Sequence, residues 1–387
     1  MTPERADGFA ATASAYVHIP FCAAVCPYCD FAVVAGRDDM TQRYVDAVVS
    51  EIERSEPWRP LDSVYFGGGT PSHVDPVFLA RILEALADRH GIAENADLSL
   101  EANPEDFTEN RAALLSQIGL NRVSFGAQSL DGGVLVMLGR RHRADEVESS
   151  VIAARNAGFE NVSVDLIYGS PEESTESWVT TLGAVVALDV DHVSCYALTV
   201  EPGTPLARAV KAGTAPPDPD IQADRYESAA EILSEAGFSR YEVSNWSKPG
   251  FEASYNLAVW AQGEYEAYGN GAHGFRDGVR FRNARRLDTY LELVDRGDLG
   301  RVGSEHMSGF DLEVDRVFVG LRRTVGVSHG AGTQALLESE DGKRLEDAGV
   351  ISSDHDRLRV IKPLFTDAVH RSVLDLQRPI VSIESNA

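Results

Sequence analysis

The chain has 387 residues, a formal charge of −25, and is 43% hydrophobic and 25% charged, which is enough apolar material for a large core and excludes wholesale disorder. So acidic a balance argues against nucleic-acid binding and against docking on anionic lipid through a basic patch. No apolar run approaches the roughly 20 residues that cross a bilayer. Residues 1–14 hold Glu4, Arg5 and Asp7 rather than a basic start and an apolar stretch. A flexible tail and a cytoplasmic protein are therefore expected.

Along the chain, short apolar runs alternate with helical patterns. Strands are predicted at Ala15–Ile19, Ser63–Phe66, Leu98–Ala102, Arg122–Gly126, Asn161–Ile167, His192–Leu198 and Arg240–Ser244. Helices are predicted between them: Met40–Ser55, Pro76–Arg89, Asp145–Ala157, Ser174–Leu188 and Asp220–Ala236. In the second of these, Asp75 can cap the first turn, Pro76 suits it, and Leu79, Ile82, Leu83 and Leu86 share one face. The alternation predicts an α/β fold, parallel strands wrapped by helices in a complete or partial barrel over residues 15–246. Residues 247–304 read as a connecting part, with an ordered loop rich in Gly, Tyr and Trp over Ser247–Gly274 and a helix over Asn283–Arg296. Residues 305–376 read as a compact, mostly helical module of winged-helix order. Its helices are Phe310–Val325, Gly332–Ala348 and Leu364–Leu376, and its hairpin is Val350–Ser352 with Leu358–Ile361. Residues 377–387 are expected to fray.

Three of the four cysteines, Cys22, Cys26 and Cys29, fall within eight residues. A disulfide framework would spread its cysteines along a small secreted chain, so this grouping points to a metal site. A structural zinc site prefers two spaced ligand pairs, and here one tight loop supplies three thiols. A 4Fe–4S cluster held by three thiolates leaves one iron open to an outside ligand. Zinc completed by His18 or Asp30, and buried thiols without metal, are the alternatives these residues leave. Cys195, inside an apolar strand, reads as a packed thiol.

The stretch His18-Ile-Pro-Phe-Cys22-x3-Cys26-x2-Cys29, placed after the first strand with Tyr28 before the last cysteine, resembles the radical S-adenosylmethionine superfamily. Within it, the sequence is similar to the branch of oxygen-independent coproporphyrinogen III dehydrogenases and HemW-type haem chaperones. The likeness runs from about Tyr16 to Ile361. It implies a partial (β/α)6 barrel of TIM type, a 4Fe–4S cluster on Cys22, Cys26 and Cys29, and S-adenosylmethionine beside it. It also implies a flavodoxin- or ferredoxin-type electron donor and allows a homodimer.

By the same resemblance, Tyr16, Tyr28, Gly68, Gly69, Thr70, Glu101, Gln128, Arg140 and Asp165 match positions around S-adenosylmethionine. The residues themselves are consistent with this. Gly67-Gly68-Gly69-Thr70 follows a strand, where backbone can approach a ligand closely. Glu101 ends another strand, at a barrel mouth. Alternation sets Arg122, Ser124 and Gly126 on one face with Gln128 at the mouth, and an acid such as Asp165 is costly in an apolar strand unless it binds something.

Two functions follow from the resemblance. One is a haem chaperone delivering haem to apo-proteins. The other is oxidative decarboxylation of coproporphyrinogen III propionates by a 5′-deoxyadenosyl radical. Phe31 stands where the dehydrogenase pattern has a fourth cysteine, and Cys22 comes early in the chain, both of which favour the chaperone. The chaperone motif His-Asn-x-x-Tyr-Trp appears here as Tyr255-Asn256-Leu-Ala-Val259-Trp260. Either Tyr255 or His273 is then the candidate haem ligand, since phenolate and imidazole both ligate haem iron.

Overall fold

In the computed structural model of the protein, residues 8–376 are described. The expected tail lies partly, and the expected fraying end wholly, outside them. The first strand opens at Ala13, after a short turn at Phe9–Ala11.

Six strands run parallel in chain order: β1 (Ala13–Ile19), β2 (Leu61–Gly68), β3 (Ile92–Ala102), β4 (Arg122–Gln128), β5 (Asn161–Tyr168) and β6 (His192–Ala197). Helices return the chain between them: α1 (Thr41–Arg54), α2 (Pro76–His90), α3 (Glu109–Gln117), α4 (Gly132–Met137), α5 (Ala144–Ala157) and α6 (Thr175–Ala187). After β6 come α7 (Pro205–Lys211) and α8 (Pro219–Glu235). The start of α2 is as its sequence requires: Asp75 accepts from the Val77 N–H at 3.0 Å and Pro76 fills the first turn.

Side-chain alternation divides the strands cleanly. Val17, Phe66, Leu100, Val123, Val164 and Val193 are fully buried in one apolar core with Leu79, Ile82, Leu86, Val151 and Leu182 of the helices. The opposite face is polar. Register sets Tyr16 beside Tyr65, Tyr65 beside Ser99, Glu101 beside Ser124, Gly126 beside Asp165, and Asp165 beside Ser194. The inside of the curved sheet is thus a polar chamber, and the acid that looked costly in β5 faces it.

The predicted strand Arg240–Ser244 is not formed. The chain instead makes β7 (Ser239–Arg240) and β8 (Asn245–Ser247), which pair antiparallel with each other, and β8 pairs antiparallel with β6. The reason is Glu242, a buried acid whose carboxylate accepts from the Ser244 N–H at 2.7 Å and the Asn245 amide at 2.6 Å and so bends the chain.

Ser247–Gly274 is not a loop either. It holds α9 (Ser254–Trp260), β9 (Glu264–Tyr268) and the start of β10 (His273–Arg276). The chain then continues through β11 (Val279–Asn283), α10 (Leu287–Asp295) and β12 (Arg301–His306). β9 pairs parallel with β1, and β10, β11 and β12 add antiparallel. Among the described residues the sheet has 12 strands in the order β12-β11-β10-β9-β1-β2-β3-β4-β5-β6-β8-β7. Its two ends do not pair, so the barrel is open.

The C-terminal part runs α11 (Phe310–Gly320), β13 (Val327–Ser328), α12 (Ala331–Glu338), α13 (Glu340–Asp347), β14 (Ile351–Ser353), β15 (Arg357–Val360) and α14 (Thr366–Leu374). The single helix predicted over Gly332–Ala348 breaks at Ser339, whose extended backbone and hydroxyl, accepting from the Gly342 N–H at 2.9 Å, start a new helix. Val317, Leu336, Leu358, Val369 and Val373 form a separate small core here. Arg322 reaches back to Glu242 at 3.2 Å and joins this part to the barrel. Among the described residues no helix is long and apolar enough to cross a membrane.

Candidate active site and its cavity

The cysteine loop leaves the end of β1 and lies over the mouth of the chamber. Backbone bonds hold it against the glycine turn after β2: the Gly69 N–H donates to the Ile19 carbonyl at 2.8 Å and the Thr70 N–H to the Phe21 carbonyl at 2.9 Å. On the other side, Gly139, with φ +65°, lets the turn after α4 press on Pro27. Cys22, Cys26 and Cys29 all line a cavity of about 410 Å³ that continues down into the chamber.

Hydrogen bonds join two of the thiols through the protein. Thr70 donates to Cys22 Sγ at 3.5 Å, and Asn103 donates to the Thr70 hydroxyl at 3.2 Å. Arg140 donates to Asn103 Oδ1 at 2.6 Å and to Cys26 Sγ at 3.6 Å. Donors aimed at sulfur favour thiolate. Burial acts the other way and pushes the free Cys22 thiol up to about 11 and Cys29 upward as well. Filling the site with metal therefore releases protons. Among the described residues no three His, Cys, Asp or Glu side chains stand close enough to share one metal ion. A cluster makes no such demand, because each thiol meets a different iron. His18, one of the two candidate fourth zinc ligands, is already engaged at both ring nitrogens, by Tyr16 Oη at 3.1 Å and the Ala32 carbonyl at 3.1 Å.

Of the other residues singled out in the sequence, Tyr28, Gly68, Gly69, Thr70, Glu101, Gln128, Arg140 and Asp165 line this same cavity. Glu101 accepts from Tyr65 Oη at 2.9 Å and from the Gly68 N–H at 3.0 Å. Burial, with Asp165 nearby, pushes its carboxyl up to about 7. Asp165 accepts from the Ser124 hydroxyl at 2.9 Å, and burial raises it too. Gln128 takes φ +64° at a register shift in β4, an uncommon conformation for a residue other than glycine. Tyr16 lies apart, in a second cavity of about 500 Å³ at the open edge of the barrel; Gly68 and Glu101 line both cavities.

Gly68 has φ +111°, and a Cβ there would stand 2.4 Å from the ring of His18. Gly68→Ala is expected to cost about 2 kcal/mol, seen as an earlier chemical-unfolding midpoint. An unchanged midpoint would show that the turn and His18 yield freely.

Two residues of the site, Asn103 and His192, were not singled out in the sequence, and Arg122 was named there only for the strand face it shares with Ser124 and Gly126. Asn103 links Thr70 to Arg140. Arg122, buried in the chamber wall, donates to the Phe251 carbonyl at 3.4 Å. His192 is held by Ser163 and Tyr241, each at 2.8 Å. A histidine at the start of a barrel strand was the available signal for His192.

The two haem candidates are placed differently. Tyr255 stacks on Tyr65 with ring centroids 5.2 Å apart and on Tyr16 at 6.0 Å, and burial holds its phenol well above the usual pKa. His273 is exposed at the second cavity, and partial burial with Arg282 and Arg280 nearby lowers its imidazole pKa.

Residues 16–185 match the Radical SAM superfamily. The chain is 37% identical over 372 residues to the heme chaperone HemW of Mycobacterium tuberculosis, covering 93% of this chain and 94% of the relative. It is 32% identical over 337 residues to HemW of Bacillus subtilis, with 85% and 88% covered. It is also 35% identical over 341 residues to the mitochondrial radical S-adenosyl methionine domain-containing protein 1 of Mus musculus, with 84% and 77% covered. The coproporphyrinogen III oxidase HemN of Escherichia coli shares the fold, with a TM-score of 0.82 at 21% identity over 95% of this chain and 92% of that one.

Proposed function

The chain belongs to the radical SAM superfamily and, within it, to the HemW family of haem chaperones, and from that membership we propose that it carries haem to apo-proteins. In this reading Cys22, Cys26 and Cys29 hold a 4Fe–4S cluster, and the adjoining cavity holds S-adenosylmethionine. The observation that carries it is the three thiols of one loop at the cavity mouth, two of them joined by the Thr70–Asn103–Arg140 hydrogen bonds.

When bound, such a cluster leaves one iron to an outside ligand and supplies one-electron chemistry. The chain's own residues do the rest. Arg140 and Thr70 offset thiolate charge and fix the sulfurs. The backbone of Gly68, Gly69 and Thr70 allows the close approach that a cofactor's polar end needs. Glu101 and Asp165 present carboxylates to a cationic, hydroxyl-bearing ligand, and Tyr28 and Gln128 border it at the mouth. The apolar core behind β1–β6 closes the chamber from the helix side. The same reading sets the protein in the cytoplasm, with a flavodoxin- or ferredoxin-type electron donor and a haem-accepting apo-protein as partners.

Haem-loaded protein mixed anaerobically with an apo-haem protein is expected to pass its Soret absorbance to the acceptor. With coproporphyrinogen III it is expected to form no protoporphyrinogen. Steady decarboxylation of that substrate would overturn the chaperone reading in favour of the dehydrogenase.

Glu101 predicts a pH dependence. Its carboxyl, raised to about 7 before ligand arrives, is protonated below that value and loses its attraction for a cation. Calorimetric affinity for S-adenosylmethionine should therefore fall as pH drops from about 8 to about 6, by roughly tenfold at most, and Glu101→Gln should flatten the profile. An equally steep profile in that variant would remove Glu101 from the role.

A further inference from the structure

Resting on the haem-carrying reading, we propose that haem docks in the cavity at the open edge of the barrel, with its iron on His273 and its propionates on Arg282 and Arg285. Nothing in the family assignment fixes this site; the geometry of β10 and β11 does.

His273 and Arg282 are direct cross-strand partners in the antiparallel β10–β11 pair. Their side chains therefore rise from the same face of the sheet, with Cβ atoms about 5 Å apart. On the far side of β11, Arg282 faces Gly303 of β12, where the missing side chain leaves room for the guanidinium. Among the described residues, neither the His273 nor the Arg282 side chain has a hydrogen bond or ion pair, while Arg285 spends part of its donor fork on the Asp30 carbonyl. Two arginines with donors to spare suit two carboxylates, and an imidazole without a partner suits a metal.

The apolar part of the ligand is met as well. Phe31 is 63% exposed and Val302 is 51% exposed, and both line this cavity. Large apolar side chains left open beside a concavity mark a site for an apolar ligand face. The cavity, about 500 Å³, is also built rather than incidental. Asn270 clamps its floor by donating to the Ala32 carbonyl at 3.1 Å and the Arg285 carbonyl at 3.0 Å. Gly271, at φ +70°, packs so close to Ala32 that a Cβ would stand 2.6 Å from it. These contacts hold the His273 strand against the end of the cysteine loop.

The competing ligands fail on geometry. His18 lies in the same cavity but is buried, with both ring nitrogens engaged. Tyr255 packs against both Tyr16 and Tyr65 and does not line the cavity.

The test is titration of ferric haem into the full-length protein with its cluster reconstituted anaerobically, read by the Soret band and by the EPR spectrum of the haem. The unsubstituted protein should bind one haem per chain with an imidazole-ligated signature. His273→Ala should lose that signature and bind at least about tenfold more weakly, and added imidazole should restore the signature. Tyr255→Phe should bind as the unsubstituted protein does. Arg282→Glu with Arg285→Glu should weaken haem by a similar factor and leave the dimethyl ester of haem, which lacks the carboxylates, unaffected. Iron content and S-adenosylmethionine affinity should be unchanged in His273→Ala and Tyr255→Phe. If the unsubstituted protein binds haem and His273→Ala keeps the same signature, the site is wrong and the chaperone reading stands. Equal loss of haem and its ester in the arginine variant removes the propionate contacts. If the unsubstituted protein shows no saturable binding, both the site and the chaperone reading fall.

Discussion

Replacing any one of Cys22, Cys26 or Cys29 with alanine leaves anaerobically purified protein with almost no iron or labile sulfide, against about four of each per chain in the unsubstituted protein. Each thiol stands at its own position around the cavity mouth, so no remaining residue takes over the iron that a lost thiol held. Cys195 is no reserve, because it is buried in β6 on the apolar side of the sheet and belongs to the main core. Asp30 and His18 are no reserve either: Asp30 lines the neighbouring cavity, and both nitrogens of His18 are bonded. The fold should survive, since Cys26 and Cys29 are only partly buried and the loop is anchored by backbone bonds at Ile19 and Phe21. Cys195→Ala is the matched control and should keep its full iron content. Iron retained at the unsubstituted level in any of the three variants would contradict a cluster on these cysteines.

The largest effect on stability is expected at Glu51. Its carboxylate is buried in α1 and accepts from the Gly269 N–H at 2.9 Å, the Gly300 N–H at 3.1 Å, the Asn283 amide at 2.8 Å and Tyr290 Oη at 2.8 Å. One side chain thus ties α1 to β9, β11, α10 and the approach to β12. Burial raises its pKa and these four donors oppose the rise. Glu51→Ala strands all four donors away from water. The expected loss is about 3–5 kcal/mol, read as a large drop in the chemical-unfolding midpoint. Glu51→Gln keeps the shape but turns one acceptor into a donor facing donors, so it should fall between the two. A midpoint within error of the unsubstituted protein would show that the carboxylate is not the hub of that edge.

Much of this architecture was readable from the chain. Period-two patterning located β1–β6, and Asp75-Pro76 marked the start of α2, because those signals are local. The cysteine spacing located the cavity mouth for the same reason. What was hidden depends on partners far away in sequence. Arg240–Ser244 has the apolar look of a strand, yet Glu242 bends it to meet Ser244, Asn245 and Arg322. Ser247–Gly274 reads as loop because its strands are short, and they exist only by pairing with β1 and with one another. Asn103 is an ordinary strand-end residue until Thr70 arrives from the turn after β2 and Arg140 from the turn after α4. Tyr255 looked like a haem ligand by position in a motif, and only the stack with Tyr16 and Tyr65 shows it enclosed.

The most direct test of a three-cysteine cluster with one iron free is the EPR spectrum of the anaerobically reduced protein, recorded before and after addition of S-adenosylmethionine. A reduced 4Fe–4S signal that changes shape on addition, and does so less in Arg140→Ala or Glu101→Gln, is the expected result. A cluster signal that is absent, or identical with and without S-adenosylmethionine, would contradict the account.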